Sequence, residues 1–136
     1  PFFLSQECAK IMKLKKSGII INITSINAEF AFPDNPSYQA SKAGLKQLTK
    51  SLALDLAKFG IRVNNVGPGY FHTAMTKKSW NNIKRKKMIA SNTILGRWGE
   101  PKDLEGIIIF LSSNASSYIT GQDIYIDGGW SIKGIK

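Results

Sequence analysis

The chain has 136 residues, of which 43% are hydrophobic and 10% aromatic, so it can bury the core of one domain and is not a disordered chain. Its single cysteine, Cys8, excludes an internal disulfide, and no cluster of cysteine and histidine offers a metal site. The apolar runs at 19–23 and 107–111 are too short to cross a membrane. We therefore expect a globular, cytoplasmic protein with no metal site and no membrane partner.

The formal net charge is +10, and its densest part is the basic patch at 84–87, which follows Lys77 and Lys78. No groove-reading motif or stacking aromatic pattern accompanies the patch, so no nucleic-acid partner is expected. Two interpretations stay open. The patch is either a solvated basic helix face or a surface that attracts an acidic substrate or carrier.

The first predicted elements are an amphipathic helix over 2–16 and a strand over 19–23. The strand is β-branched and almost continuously apolar, which is typical of a strand buried on both faces of a parallel sheet. A polar loop follows over 25–36. Candidate capping residues for the next helix are Asp34, Asn35 and Ser37.

The spacing of leucines over 37–59 predicts a second helix, which Gly60 ends. Residues 61–66 then form a second short strand, closed by the Gly-Pro-Gly turn at 67–69. The basic, poorly periodic segment 74–95 predicts one or two short helices around a loop.

A third main helix opens at Pro101 and carries apolar residues to Leu111, and a last strand spans 123–127. The order of elements is therefore helix, strand, helix, strand, helix, strand. This order predicts an α/β fold whose parallel strands are joined by right-handed crossovers.

Three polar residues fall where such a sheet binds ligands. Ser25 comes directly after the first strand, and ligands of open α/β sheets lie at the carboxyl ends of the strands. Tyr38 and Lys42 are four residues apart, so they share one face in the first turns of the next helix. We expect all three to face one crevice.

The three side chains suit proton transfer to or from an oxygen atom. A phenol is a poor acid or base near neutral pH because its ordinary pKa is about 10, but a neighbouring ammonium favours the phenolate. Tyr38 would exchange a proton with a carbonyl or alcohol oxygen, and Ser25 would hydrogen-bond the same oxygen. A Tyr/Lys pair alone is commonly structural, and it is the placement of Tyr38, Lys42 and Ser25 together that favours catalysis.

Five segments, in this order, make the sequence resemble the short-chain dehydrogenase/reductase family. They are GIIINITS at 18–25, YQASKAG at 38–44, RVNNVGPGYFHT at 62–73, GRWGEP at 96–101 and GQDIYIDGG at 121–129. The resemblance implies a Rossmann-type, doubly wound parallel sheet. It also implies an NAD(P)-dependent oxidoreductase that interconverts a secondary alcohol and a ketone, with Tyr38 as the general acid/base and Ser25 orienting the substrate oxygen.

The cofactor implied by the resemblance is NAD or NADP. The residues that the resemblance places at the cofactor are Tyr38, Lys42, Pro68, Gly69, Phe71 and Thr73. Lys42 would bind the nicotinamide ribose, the backbone of Phe71 and the side chain of Thr73 would hold the carboxamide, and Pro68 and Gly69 would shape the loop.

The family's glycine-rich phosphate turn and its cofactor-selecting residue have no counterpart among the 136 residues, and its catalytic asparagine would precede Pro1. We therefore expect residues 1–136 to be the C-terminal catalytic part of one Rossmann-fold domain. Three strands with their covering helices would be present, without the N-terminal cofactor-binding half. Alone, this part is expected to be inactive and unstable.

The resemblance points to sugar-acid dehydrogenases and to 3-oxoacyl-carrier-protein reductases, and the segment 96–101 leans toward the former. A small-molecule or carrier-bound substrate and a homodimer or homotetramer at full length are expected. The alternative is a non-catalytic binding or assembly protein with the same fold. Among other residues, His72, Trp98 and Trp130 are expected to pack, and Met75 and Trp80 begin a segment that in this family closes over the substrate.

Overall fold

A computed structural model describes residues 1–133. Its α-helices are α1 (Phe2–Lys15), α2 (Pro36–Leu56), α3 (Lys77–Asn81), α4 (Ile83–Ser91) and α5 (Glu105–Leu111). Its strands are β1 (Gly18–Ile23), β2 (Ile61–Pro68) and β3 (Asp123–Ile126). Short 3₁₀ turns cover Ile26–Ala28, Ala57–Phe59, Pro101–Leu104, Asn114–Ser116 and Trp130–Ile132.

The three strands form one parallel sheet in the order β1-β2-β3. Ile23 lies opposite Val66, and Pro68 lies opposite Ile126, so the carboxyl ends of the strands share one edge. The predicted α/β fold with parallel pairing is confirmed. Loops that leave this edge can converge on one site.

Helices cover both faces of the sheet, as the doubly wound prediction requires. On one face, the amide of Asn22 in β1 donates a hydrogen bond to Thr49 of α2. On the other face, the guanidinium of Arg62 in β2 donates to the carbonyl of Leu111, where α5 ends. Adjacent positions on a strand point to opposite faces, which places α2 and α5 on opposite sides of the sheet.

The core lies between α1, α2 and the sheet. Its buried cluster consists of Ala9, Ala53, Leu56, Ile61 and Val63. The small alanines let both helices approach the β-branched strand residues closely. Several apolar side chains of α1 are exposed, including Phe3 at 77% and Leu14 at 87%.

Several boundaries differ from the sequence predictions. Helix α2 begins at Pro36, whose missing N–H costs nothing at the first helical position, and the predicted capping bond from Asn35 is not made by its side chain. Residues 57–59 are 3₁₀ rather than α-helical, because Gly60 follows in the left-handed conformation at φ 69°. β2 runs two residues further than predicted, to Pro68, because β3 pairs with it there.

The basic segment 74–95 contains two short helices, α3 and α4, in agreement with the prediction. Within residues 1–133, no helix combines the length and the apolar character needed to cross a membrane.

Candidate active site

Ser25 sits at the carboxyl edge of the sheet in a fixed backbone. The backbone N–H of the preceding Thr24 donates to the carbonyl of Val66 in β2 at 2.8 Å, which continues the β1–β2 pairing past the end of β1. Ser25 is 7% exposed and caps the short turn Ile26–Ala28, accepting a hydrogen bond from the N–H of Asn27 at 3.1 Å. Its hydroxyl is also 3.3 Å from the Asn27 side-chain oxygen, to which it donates.

Lys42 joins α2 to the same strand end. Its Nζ donates to the carbonyl of Ile23, the last residue of β1, at 2.8 Å. The same nitrogen lies 5.5 Å from the centre of the Tyr38 ring. Burial lowers the pKa of Lys42, because removal from water penalises the ammonium. The geometry thus brings Tyr38, Lys42 and the Ser25 segment to one end of β1.

Gly69 begins the predicted cofactor loop and packs directly on β3. Its N–H donates to the carbonyl of Ile126 at 3.0 Å, following Pro68 at the end of β2. A Cβ at this position would lie 2.8 Å from the Cα of Asp127, closer than non-bonded carbon atoms approach in proteins. The loop can take this path only because residue 69 has no side chain.

Phe71 is buried and held by a second backbone contact. It forms a parallel bridge with Gly99, in which the carbonyl of Tyr70 accepts from Gly99 and the N–H of His72 donates to Gly99, both at 2.9 Å. A Cβ at Gly99 would lie 2.7 Å from the Phe71 ring. Among the described residues, the hydrogen bonds of this bridge do not use the backbone N–H of Phe71, and the role of that N–H at the cofactor stays a prediction.

Thr73 lies in an exposed turn that Thr76 closes. The N–H of Thr73 donates to Thr76 Oγ1 at 3.0 Å, and the two hydroxyl oxygens are 3.3 Å apart. Thr76 also donates to the carbonyl of Phe71. This turn places the Thr73 hydroxyl beside the hydroxyl of Thr76, which in turn bonds the carbonyl of Phe71.

Aromatic contacts attach helices α3 and α4 to this loop. His72 stacks on Trp80 with ring centroids 3.9 Å apart, and Lys86 Nζ lies 3.5 Å from the centre of the Trp80 ring. Trp98 is buried, and its indole N–H donates to the carbonyl of Lys86 at 3.0 Å. The packing predicted for His72 and Trp98 is confirmed, while Met75 is 83% exposed.

Trp130 also packs as predicted. Its ring centroid lies 4.9 Å from that of Tyr70 and 6.3 Å from that of Phe32. These contacts join the segment after β3 to the loops that follow β1 and β2.

Two attachments of the Ser25 segment were missed in the sequence. Gln39, within the YQASK motif, accepts from the N–H of Phe32 at 3.0 Å and donates to its carbonyl at 2.7 Å. Lys46, one helical turn beyond Lys42, forms an ion pair with Glu29. The available signal was the helical spacing of Lys42 and Lys46, but spacing alone does not show which loop residue lies opposite.

The family model described as "Enoyl-(Acyl carrier protein) reductase" matches residues 1–131 of the chain. This match covers almost the whole sequence. The chain therefore belongs to the short-chain dehydrogenase/reductase family, the class that the fold and the arrangement of serine, tyrosine and lysine had indicated.

Curated relatives include two kinds of enzyme. The chain is 41% identical over 130 residues to 2-dehydro-3-deoxy-D-gluconate 5-dehydrogenase of Formosa agariphila and 38% identical over 131 residues to gluconate 5-dehydrogenase of Gluconobacter oxydans. It is also 44% identical over 128 residues to a 3-oxoacyl-[acyl-carrier-protein] reductase of Rickettsia bellii. These matches cover 95%, 96% and 94% of the chain. The chain spans about half the length of these relatives, namely 49%, 51% and 52%.

A solved structure of gluconate 5-dehydrogenase from Burkholderia cenocepacia, in complex with NADP and tartrate, superposes with a TM-score of 0.96 at 35% identity. The match covers 98% of this chain and 52% of that one. A 4-hydroxyisoleucine dehydrogenase complexed with NADH gives a TM-score of 0.94 at 40% identity, covering 98% of this chain and 56% of that one. The two neighbours carry different nicotinamide cofactors.

Proposed function

We propose that the 136 residues are the C-terminal catalytic part of one Rossmann-fold domain in an NAD(P)-dependent oxidoreductase. The reaction is the interconversion of a secondary alcohol and a ketone. The observation that carries the proposal is the convergence of Ser25, Tyr38 and Lys42 at the carboxyl end of β1, where Lys42 bonds the carbonyl of Ile23. A protein that only bound or assembled would need no such arrangement of a phenol, an ammonium and a hydroxyl.

Each of the three side chains has its own part in the reaction. Tyr38 gives a proton to the ketone oxygen during reduction and takes one from the alcohol during oxidation. Ser25 donates a hydrogen bond to that oxygen and holds it next to Tyr38. Lys42 holds its ammonium beside Tyr38, with Nζ 5.5 Å from the centre of the Tyr38 ring.

The residues present fit the nicotinamide end of NAD or NADP. Lys42 would bond the ribose hydroxyls, and the N–H of Phe71 with the hydroxyl of Thr73 would pair with the carboxamide. Gly69, packed against Asp127, would shape the loop beside the ring. The bound nicotinamide supplies the hydride donor or acceptor. The choice between NAD and NADP depends on residues outside this set.

The substrate class is a sugar acid or a carrier-bound 3-oxoacyl group, in line with the names of the relatives. Both substrates are anionic or attached to an acidic carrier, and the chain has a net charge of +10. The basic side chains on and around α3 and α4 are Lys77, Lys78, Lys84, Arg85, Lys86 and Lys87. Their charge would raise the local concentration of an anionic substrate.

Assembly into a homodimer or homotetramer and location in the cytoplasm stay predictions for the full-length protein. The exposed apolar residues of α1 support the first, since an exposed apolar surface of this kind usually meets a partner.

The test is an absorbance assay of nicotinamide oxidation or reduction by the full-length protein. The substrates are 5-ketogluconate and an acetoacetyl thioester, each with NADH and with NADPH. Tyr38→Phe removes only the hydroxyl, and we expect it to lower kcat by about 100-fold or more while cofactor binding is retained. The matched control is Tyr118→Phe, because Tyr118 is fully exposed and lies far along the chain from β1.

Turnover that survives Tyr38→Phe would contradict the proposed mechanism. A wild-type protein that binds the cofactor but turns over neither substrate class would instead favour the non-catalytic alternative.

A further inference from the structure

The stretch from Ile23 to Glu29, which carries Ser25, is attached to α2 at both of its ends. At its start, Lys42 Nζ donates to the carbonyl of Ile23 at 2.8 Å. At its end, Lys46 forms an ion pair with Glu29. Lys42 and Lys46 are four residues apart, so one face of α2 holds both ends of the segment.

Glu29 has a second anchor on β3. The hydroxyl of Tyr125 donates to Glu29 Oε2 at 3.2 Å. The Tyr125 ring reaches this position over Gly67 of β2, where a Cβ would lie only 2.6 Å from the ring. Lys46 Nζ also lies 3.8 Å from Asp123 Oδ2 on β3. Glu29 is therefore linked to both α2 and the far strand of the sheet.

Movement of Glu29 would reach Ser25 through a short, stiff backbone. The N–H of Ala28 donates to the carbonyl of Ser25 at 2.9 Å, and the N–H of Glu29 donates to the carbonyl of Ile26 at 3.0 Å. These bonds form a single 3₁₀ turn that begins at Ser25. Because this turn joins Ser25 to Glu29 directly through backbone hydrogen bonds, we expect a shift of Glu29 to displace Ser25 as well.

The pKa shifts of Glu29 and Lys46 agree with an ion pair between their side chains. The hydrogen bond from Lys46 lowers the pKa of Glu29, and the hydrogen bond to Glu29 raises the pKa of Lys46. The side chains of Lys46 and Glu29 are 20% and 42% exposed. A pair exposed to this extent adds little to the stability of the whole fold, so its main effect would be on local geometry.

We propose that Glu29 and Lys46 are positioning residues that set Ser25 relative to Tyr38 and Lys42, with Tyr125 as the second anchor of Glu29. This inference rests on the proposed function, because its effect is measured as turnover. The serine hydroxyl must sit within hydrogen-bond distance of the substrate oxygen, and a displacement near 1 Å can cost about 100-fold in rate.

The experiment uses the full-length protein and three variants. Lys46→Met keeps the length of the side chain and removes its charge, and we expect kcat to fall by about tenfold or more with the cofactor KM unchanged. Lys46→Arg keeps the ion pair and should restore most of kcat. The matched control is Lys10→Met, which breaks the exposed pair of Lys10 with Glu7 on α1 and should leave kcat unchanged.

A second measurement separates positioning from general weakening. If Lys46 acts through Ser25, then Lys46→Met should lower kcat much less in a Ser25→Ala background than in the wild type. An equal loss in both backgrounds would overturn the proposal. So would a Lys46→Met variant that melts at a lower temperature but keeps the wild-type kcat, or a Lys46→Arg variant as impaired as Lys46→Met.

The two proposals can fail separately. If Tyr38→Phe abolishes turnover and Lys46→Met does not change it, only the positioning role is wrong. If Tyr38→Phe leaves turnover intact, the proposed function itself fails.

Discussion

The two loops that leave the carboxyl edge of the sheet are held in different ways. The segment 24–32, which carries Ser25, is attached mainly by side chains, namely Gln39 and Lys46 from α2 and Tyr125 from β3. The loop 68–73 is attached mainly by its backbone, through the contacts of Gly69 with β3 and of Phe71 with Gly99.

This difference in attachment determines which residue types each loop can accept. A position where an added Cβ would overlap a neighbouring residue, as at Gly69 and Gly99, requires glycine and leaves a visible motif. A side-chain attachment can be made by many residue pairs, so it leaves no fixed motif. The first loop is therefore adjustable by substitution, while the second is determined by two glycines.

The largest expected effect comes from breaking the hydrogen bonds by which Asn65 of β2 joins α2 to β3. Asn65 is fully buried, accepts from Thr49 Oγ1 at 2.6 Å and donates to Asp123 Oδ1 at 2.6 Å. Asn65→Leu leaves the buried Thr49 hydroxyl without its acceptor and Asp123 without its amide donor, and we expect a loss of about 3 kcal/mol in the free energy of unfolding. Chemical denaturation of the full-length protein measures the loss.

The matched control for this variant is Asn81→Leu at the exposed end of α3, where we expect a change of about 0.5 kcal/mol or less. Equal effects at Asn65 and Asn81 would show that the side-chain network does not hold this part of the sheet.

The next effect tests the backbone contact of the second loop. Gly69→Ala places a Cβ 2.8 Å from the Cα of Asp127, so either the loop or β3 must move. We expect a loss of about 1–3 kcal/mol in the free energy of unfolding and a raised KM for the cofactor. Thermal denaturation and cofactor titration measure these two effects.

Gly106→Ala is the control, because a Cβ in this position of α5 meets no atom within 4 Å. Alanine there should stabilise the protein by about 0.5–1 kcal/mol, since it favours the helix. A Gly69→Ala variant as stable as Gly106→Ala would disprove the close-approach argument.

The smallest expected effect concerns Asp127, against which Gly69 packs. Burial raises the pKa of Asp127, but hydrogen bonds from Ser131 and Gly129, both N–H donors at 2.8 Å, together lower it below its ordinary 3.8. A carboxyl whose folded pKa is lowered stabilises the fold above its unfolded pKa, and this stability is lost as pH falls through the folded pKa. Asp127→Asn should therefore cost about 1–2 kcal/mol near neutral pH.

The cost of Asp127→Asn should shrink as the pH falls through the lowered folded pKa of Asp127, because the wild-type carboxyl then becomes neutral as well. Denaturation curves at several pH values check this trend. A gap between variant and wild type that stays constant with pH would show that the charge of Asp127 contributes nothing.

Much of the fold was predictable because its elements have strong local patterns. The apolar run identified β1 to within one residue, and the leucine spacing identified α2 with its start to within one residue and its end to within three. The extension of β2 to Pro68 was not predictable, because it depends on pairing with β3, more than fifty residues along the chain. Local patterns do not report a partner strand at that distance.

The candidate site divides in the same way. The sequence by itself determined that Ser25, Tyr38 and Lys42 meet at the end of β1. Ser25 directly follows that strand, and the helical spacing of four residues puts Tyr38 and Lys42 on one face of α2. The sequence also determined that Gly69 lies in a turn at the end of β2, because the Gly-Pro-Gly run at 67–69 follows a strand pattern. Only the tertiary structure decided that Lys46 meets Glu29 and that His72 stacks on Trp80. Those contacts join residues on separate elements, and their geometry exists only after the sheet has brought the loops to one edge.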